Sequence, residues 1–253
     1  LLIEAPNWTP NGAALIVNGD GRLFRVPLDR PALVAIDTGF ATRLNNDHGI
    51  SPDGSMLVIS NHTVIGQSCI YTLPSGGGEP RRVTANTPSW WHGWSPDGRT
   101  LAYTAVRGGA FGIWTIPVDG GAETCIAGGC GHHDGPDYTP DGEWVWFNSD
   151  QGGSMQLWRV RADGTDRQKM TEEHAVNWFP HPSPDGALVL YLAYPPGTDG
   201  HPRDLDVELR VIPAGGGESR RIASFFGGQG TINVPCWSPD GQRFAYVRYA
   251  RPA

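Results

Sequence analysis

The chain has 253 residues and a net charge of −7, with 19 basic against 26 acidic side chains and no basic stripe, a balance that argues against a nucleic-acid partner. Its longest apolar run, residues 187–194, is too short to span a membrane, and four cysteines without a tight motif make neither a zinc module nor a disulfide scaffold. Thirty-five Gly, 22 Pro and 10 Trp suit one all-β domain with frequent turns and large flat side chains between packed sheets.

Taken in chain order, the predicted elements repeat. Trp8 leads into the turn Thr9-Pro10-Asn11-Gly12. Ile50 leads into Ser51-Pro52-Asp53-Gly54, Trp94 into Ser95-Pro96-Asp97-Gly98, and Tyr138 into Thr139-Pro140-Asp141-Gly142. Pro182 then leads into Ser183-Pro184-Asp185-Gly186, and Trp237 into Ser238-Pro239-Asp240-Gly241. In this turn Pro presets φ, Asp or Asn bonds the local backbone and Gly supplies positive φ, so its carboxylates read as structural. Each turn is followed by a β-rich run such as Met56-Leu57-Val58-Ile59 or Trp144-Val145-Trp146-Phe147, a third strand, a Gly-rich turn and a short fourth strand. The turns recur at spacings of 42, 44, 44, 44 and 55 residues, the period of propeller blades. The expected fold is a single domain over residues 1–253, a six-bladed β-propeller of four-stranded antiparallel blades. Its inner strands are expected near 4–9, 47–51, 91–95, 135–139, 179–183 and 233–238. The sixth repeat supplies two strand patterns where the others supply four, so the last blade is expected to be incomplete and to be closed by upstream residues, because raw strand edges are normally covered.

Propeller connectivity places the Ser/Thr-Pro-Asp/Asn-Gly turns on one face and the blade-to-blade connections on the other. Polar residues collect on the second face at the entry to the inner strands: Asn46, Asp47 and His48; Trp91 and His92; His132, His133 and Asp134; Asn177, Trp178 and His181; Gln229, Thr231 and Asn233. An insertion in the fifth repeat, residues 195–207, is expected to be a loop between second and third strands that carries His201, Arg203, Asp204 and Asp206 to the same face. Six of the eight histidines converge there. Imidazoles with carboxylates suit a divalent metal such as Zn or Mn, and His48, His92 and His181 are the expected ligands, with Asp134 or His133 contributing. Capping of strand ends around a water-filled channel accounts for the same residues. His48 and His92 share one repeat position, three before the turn, while His181 lies one residue closer. Trp91, Trp178 and Phe179 are candidates to stack on a sugar ring. No G-x-S-x-G and no phosphate-binding Gly loop occurs, which disfavours a serine hydrolase or nucleotide enzyme.

The six turns, each followed by an apolar strand and a Gly-Gly turn, resemble the propeller repeats of the TolB family. Asn46-Asp47-His48-Gly49-Ile50, Trp91-His92-Gly93-Trp94, His201-Pro202-Arg203-Asp204-Leu205-Asp206 and Phe226-Gly227-Gly228-Gln229-Gly230-Thr231 resemble the stand-alone TolB-like proteins of bacteria. Within these 253 residues no counterpart of the N-terminal α/β domain of TolB is expected. A weaker similarity, at His181-Pro182-Ser183, is to oligogalacturonate lyases, propellers that hold a divalent metal through histidines. These likenesses imply a small polar ligand, carbohydrate or uronate, at the channel mouth. The implied site comprises Asp47, His48, Trp91, His92, His133, Asp134, Asn177, Trp178, His181, Arg203, Asp204, Gln229 and Asn233, with Mn, Zn or Ca as the implied cofactor and lyase chemistry as the implied activity. The alternative is a protein-interaction platform that receives a peptide at the channel mouth.

Overall fold

The computed structural model describes residues 1–62 and 67–251. These residues fold as a propeller of five antiparallel four-stranded sheets, each in simple sequential order, and no helix occurs among them. The inner strands are Glu4–Trp8, Leu44–Ile50, Ser89–Trp94, His133–Tyr138 and Val176–Pro182. The count corrects the expected six blades to five. In the sixth repeat Trp237 and Phe244 form one isolated antiparallel bridge and no four-stranded sheet is built. The backbone that follows pairs only sparsely with its own inner segment, the Ala245 N–H donating to the Cys236 carbonyl (2.9 Å) and the Val247 N–H to the Thr231 carbonyl (3.2 Å), before the Tyr249 N–H crosses to the Phe226 carbonyl of the fifth blade (2.8 Å).

The turns behave as their chemistry dictates. In each, the Ser or Thr hydroxyl donates to the Asp or Asn side chain, at 2.6 Å for Ser51–Asp53 and 2.8 Å for Thr9–Asn11, and the Gly N–H closes the turn at positive φ. A Cβ placed on each turn glycine would lie 3.5–4.0 Å from the turn proline of the preceding repeat, from Gly54 on Pro10 round to Gly241 on Pro184 and Gly12 on Pro239. The six turns therefore interlock in a closed ring, the sixth repeat included.

Apolar side chains of adjacent sheets fill the spaces between blades. Trp91 is fully buried between the second and third blades. A Cβ on Gly49 would fall 2.1 Å from its ring, so glycine is required there. Burying roughly 200 Å² of indole contributes about 5 kcal/mol.

Two irregularities position the site. Each inner strand slips register at its middle, between Glu4 and Asn7, Leu44 and His48, Asp134 and Asp137, and Trp178 and His181, and opposite Ala102–Tyr103 in the third blade. Such bulges re-aim side chains, and three carry positive φ, at Ala5, Gly135 and Phe179. The second irregularity corrects the predicted insertion loop. Residues from Arg203 onward are strand (Arg203–Pro213) paired with Arg220–Gly228, because Leu205, Val207, Leu209 and Val211 alternate as a half-buried strand requires. The open loop is confined to residues 195–202, where Pro195, Pro196, Gly197 and Gly200 stand.

Candidate functional site

Asp134 is the centre of the channel mouth. It stands in the inner strand of the fourth blade, next to the bulge at Gly135 (φ 63°). Its Oδ1 accepts hydrogen bonds from the Thr104 hydroxyl and the Gly135 N–H, both at 2.7 Å. Three imidazoles surround the same carboxylate. His92 Nε2 lies 3.2 Å from Oδ1, His132 Nε2 lies 3.5 Å from Oδ2, and His201 Nε2 lies 4.0 Å from Oδ2. His92 and Asp134 come from adjacent blades, and His201 descends from the loop of the fifth.

The electrostatics follow from burial and pairing. Burial alone would favour neutral Asp134, but the hydrogen bonds and positive charge of His132 and His92 hold its carboxyl well below the usual range. Burial likewise opposes protonation of His92; Asp47 and Asp134 outweigh it and raise the imidazole's pKa. Both His92 nitrogens face acceptors, Nε2 the carboxylate and Nδ1 the Asn233 carbonyl at 3.3 Å, a setting that suits imidazolium. His132 is raised for the same reason, with Asp134 overcoming its burial. Burial prevails at His201 and lowers it, against Asp134 and Gln229. Asp47 is pushed up to about 7, mainly by burial, although His92 opposes the shift.

Around this cluster lies a pocket of about 350 Å³. One wall is aromatic. Trp90 and Phe111 stack with ring centroids 6.2 Å apart and nearly parallel, and Phe111 continues onto His132 at 4.0 Å. Phe179 sits 5.2 Å from the His201 ring, whose other neighbour is Trp178 at 4.3 Å. The opposite wall is a row of amides. Asn45 Nδ2 donates to Asp47 Oδ2 (2.6 Å), Gln229 Nε2 to Asn46 Oδ1 (3.1 Å) and Asn233 Nδ2 to Gln229 Oε1 (3.1 Å); Gln229 also meets the His201 ring.

Of the residues expected at the site, Asp47, His92, Asp134, Gln229 and Asn233 line this pocket. Trp178 backs it, buried behind His132 and His201. The others stand elsewhere. His48 is fully buried, its Nε2 3.3 Å from the Ile16 carbonyl, and burial pushes its pKa down to about 4. Trp91 is core. His133 packs edge-on to Phe147 at 5.9 Å and is likewise lowered by burial to about 4. Asn177 donates to Gln156 Oε1 (3.2 Å) in the body of the fourth and fifth blades. His181 is held between Asp137 Oδ2 (3.0 Å from Nδ1) and the Ile232 carbonyl (2.6 Å from Nε2). Arg203 pairs with Glu4 at 3.7 Å, over the Tyr249 ring, and Asp204 is exposed at φ 67°.

His48, His92 and His181 therefore do not fit a shared metal ion. The first faces a backbone carbonyl of its neighbouring blade, and the third has both nitrogens engaged with other acceptors. Among the described residues no group of three or more His, Cys, Asp or Glu is arranged to hold a metal. The pocket takes instead Asn45, His62, Trp90 and Phe111, which the sequence reading left aside, and His132 and His201, which it placed on this face but outside the expected site. Strand alternation was the available signal for Trp90: if Trp91 points into the core, its neighbour points away.

Five four-stranded blades around a polar channel mouth define a β-propeller. Residues 88–198 match the TolB beta propeller domain. An uncharacterized protein of Agrobacterium fabrum is 51% identical over 98% of this chain and 85% of its own length. A solved structure from Agrobacterium tumefaciens, provisionally named TolB, is 50% identical with a TM-score of 0.97, covering 99% of this chain and 91% of that one. The chain belongs to the TolB-like propeller family. TolB from Acinetobacter baumannii shares the fold at 18% identity and a TM-score of 0.74, over 90% of this chain and 55% of that one. Oligogalacturonate lyase in complex with manganese shares it at 17% and 0.61, over 87% and 65%. At such identity the likeness is one of fold. No helix among the described residues is long and apolar enough to cross a membrane.

Proposed function

We propose that this propeller binds a small polyhydroxylated ligand of the carbohydrate class in the His–Asp pocket. The observation that carries the reading is the Asp134 carboxylate ringed by His92, His132 and His201 inside a pocket with one aromatic and one amide wall. Stacked Trp90 and Phe111 offer a flat apolar face to a pyranose ring. Asn45, Asn46, Gln229 and Asn233 offer both donors and acceptors to vicinal hydroxyls. A uronate carboxylate would find its counter-charge at the His132 and His201 edge of the cluster, where the raised pKa of His132 keeps a proton available. A pocket of about 350 Å³ falls in the size range of small-ligand sites, and its mainly polar lining residues suit a ligand rich in hydroxyls. The distant likeness to oligogalacturonate lyase is consistent with a sugar ligand.

Saturation-transfer NMR with a panel of neutral and uronic oligosaccharides tests this. At least one panel member should contact the wild-type protein, and Phe111→Ala should weaken it by about tenfold through loss of stacking. Absence of transfer across the whole panel would sink the sugar reading.

A further inference from the structure

The opposite end of the channel holds a second cavity, of about 250 Å³, among the Ser/Thr-Pro-Asp/Asn-Gly turns. Four repeats place an aromatic residue immediately before the turn, and Trp8, Trp94, Tyr138 and Trp237 all line this funnel, with the turn prolines Pro52 and Pro184 among the residues between them. Asp137 lies in the same lining and is 8% exposed.

The funnel is set inside a collar of charge. Asp53, Asp97, Asp141, Asp185 and Asp240 are exposed on the interlocked turns. The Ser or Thr hydroxyl and a following backbone N–H stabilise each carboxylate in its ionised form and lower its pKa. Those bonds use Oδ1. The collar's own cations are Arg99 and Arg243, while Glu143 beside Asp141 is paired with Arg161. Arg243 already shows how a cation meets this rim, its guanidinium 5.1 Å from the centre of the Trp8 ring.

We propose that the turn face docks a basic, extended segment of a partner protein, with one arginine entering the Trp–Pro funnel and its neighbouring basic residues meeting the collar carboxylates. Three observations point to this occupant. The cavity has room for an arginine side chain and the carboxylates stand outside it, so a cationic segment that meets both must run across the face. Its walls are indole, phenol and proline, against which a planar guanidinium stacks better than an ammonium. The surrounding charge is acidic and fixed in place by the turns, so little ordering is needed when a cationic segment arrives.

The test is anisotropy of a labelled Gly/Ser peptide carrying three arginines, beside lysine and glutamate counterparts and free arginine amide. The arginine peptide should bind with an affinity that falls as salt rises, and should quench tryptophan emission. The lysine peptide should bind about fivefold more weakly, and the glutamate peptide should not bind. Replacing Asp53, Asp97 and Asp185 together by Asn should weaken the arginine peptide at least about tenfold while the protein stays folded and the sugar pocket keeps its ligand. Asn is safe at this position because Asn11 makes the same turn in the first repeat, accepting from the Thr9 hydroxyl and the Ala13 N–H. Equal binding of the lysine peptide, equal binding of free arginine amide, or unchanged affinity in the triple variant would each overturn the proposal. So would failure of the arginine peptide to bind or to quench.

Discussion

Asp47 and Asp134 are both buried carboxyls of the channel mouth, yet they are driven in opposite directions. Asp134 has a hydroxyl, a backbone N–H and imidazoles aimed at it, and stays ionised. The Asp47 side chain accepts from Asn45 Nδ2, burial dominates, and its pKa rises to about 7. The linkage has a definite sign. A group whose folded pKa lies above its unfolded value contributes stability below the unfolded value and loses it as pH rises through the folded one. Asp47 should therefore cost stability progressively between the ordinary carboxyl range, about pH 4, and about 7. His92 and His132, also raised, lose their contribution as pH climbs further, whereas Asp134 loses its own only in acid. Asp47→Asn should thus stabilise the protein by about 1–3 kcal/mol near pH 8 and leave it nearly unchanged near pH 4. Thermal melts at the two pH values check this, and a gain of equal size at both would show that ionisation of Asp47 is not the cause.

At the scale of the element, the bulges of the inner strands decide which residues meet. His48 and His92 occupy the same position of the repeat, and the sequence offers no way to separate them. What differs is the neighbouring blade, which presents Asp134 to His92 and the Ile16 carbonyl to His48. His181 lies beyond its bulge and is thereby grouped with Asp137, deeper in the channel. The bulges were not legible because two of the residues with positive φ, Ala5 and Phe179, are not glycine. Gly135 is the exception that can be tested. A Cβ there would fall 2.8 Å from Asn148 Oδ1, which is held by the Phe179 N–H, and 3.2 Å from Phe179 Cδ1. Combined with φ 63°, Gly135→Ala should cost about 2–3 kcal/mol and shift the aromatic wall with it. Denaturant unfolding that shows a loss under about 0.5 kcal/mol would mean that the bulge relaxes freely.

For the whole molecule, the turns were the legible part, because each carries its mechanism in four residues, and the strands that flank them follow. The number of blades was not legible. Counting turns yields six, and the ring of turns does have six members, but a blade needs four paired strands, and the residues after Gly241 make only a few bonds to their own inner segment, at Cys236 and Thr231, before Tyr249 bonds to the fifth blade at Phe226. The site was legible as a face and not as a list. Topology brings His92, His132 and His201 to one end of the channel, whereas their convergence on Asp134 depends on bulges and on a loop that ends only where Arg203 begins to pair.

The claim that the ligand seats at this cluster is tested most directly by side-chain NMR of the histidines during titration with the oligosaccharide that shows transfer. Resonances of His92, His132 and His201 should shift together and saturate at one affinity, while His48 and His181, whose rings are buried against Ile16 and Asp137, stay in place. Shifts confined to His48 or His181, or binding with no change at any of the three Asp134 neighbours, would contradict the account.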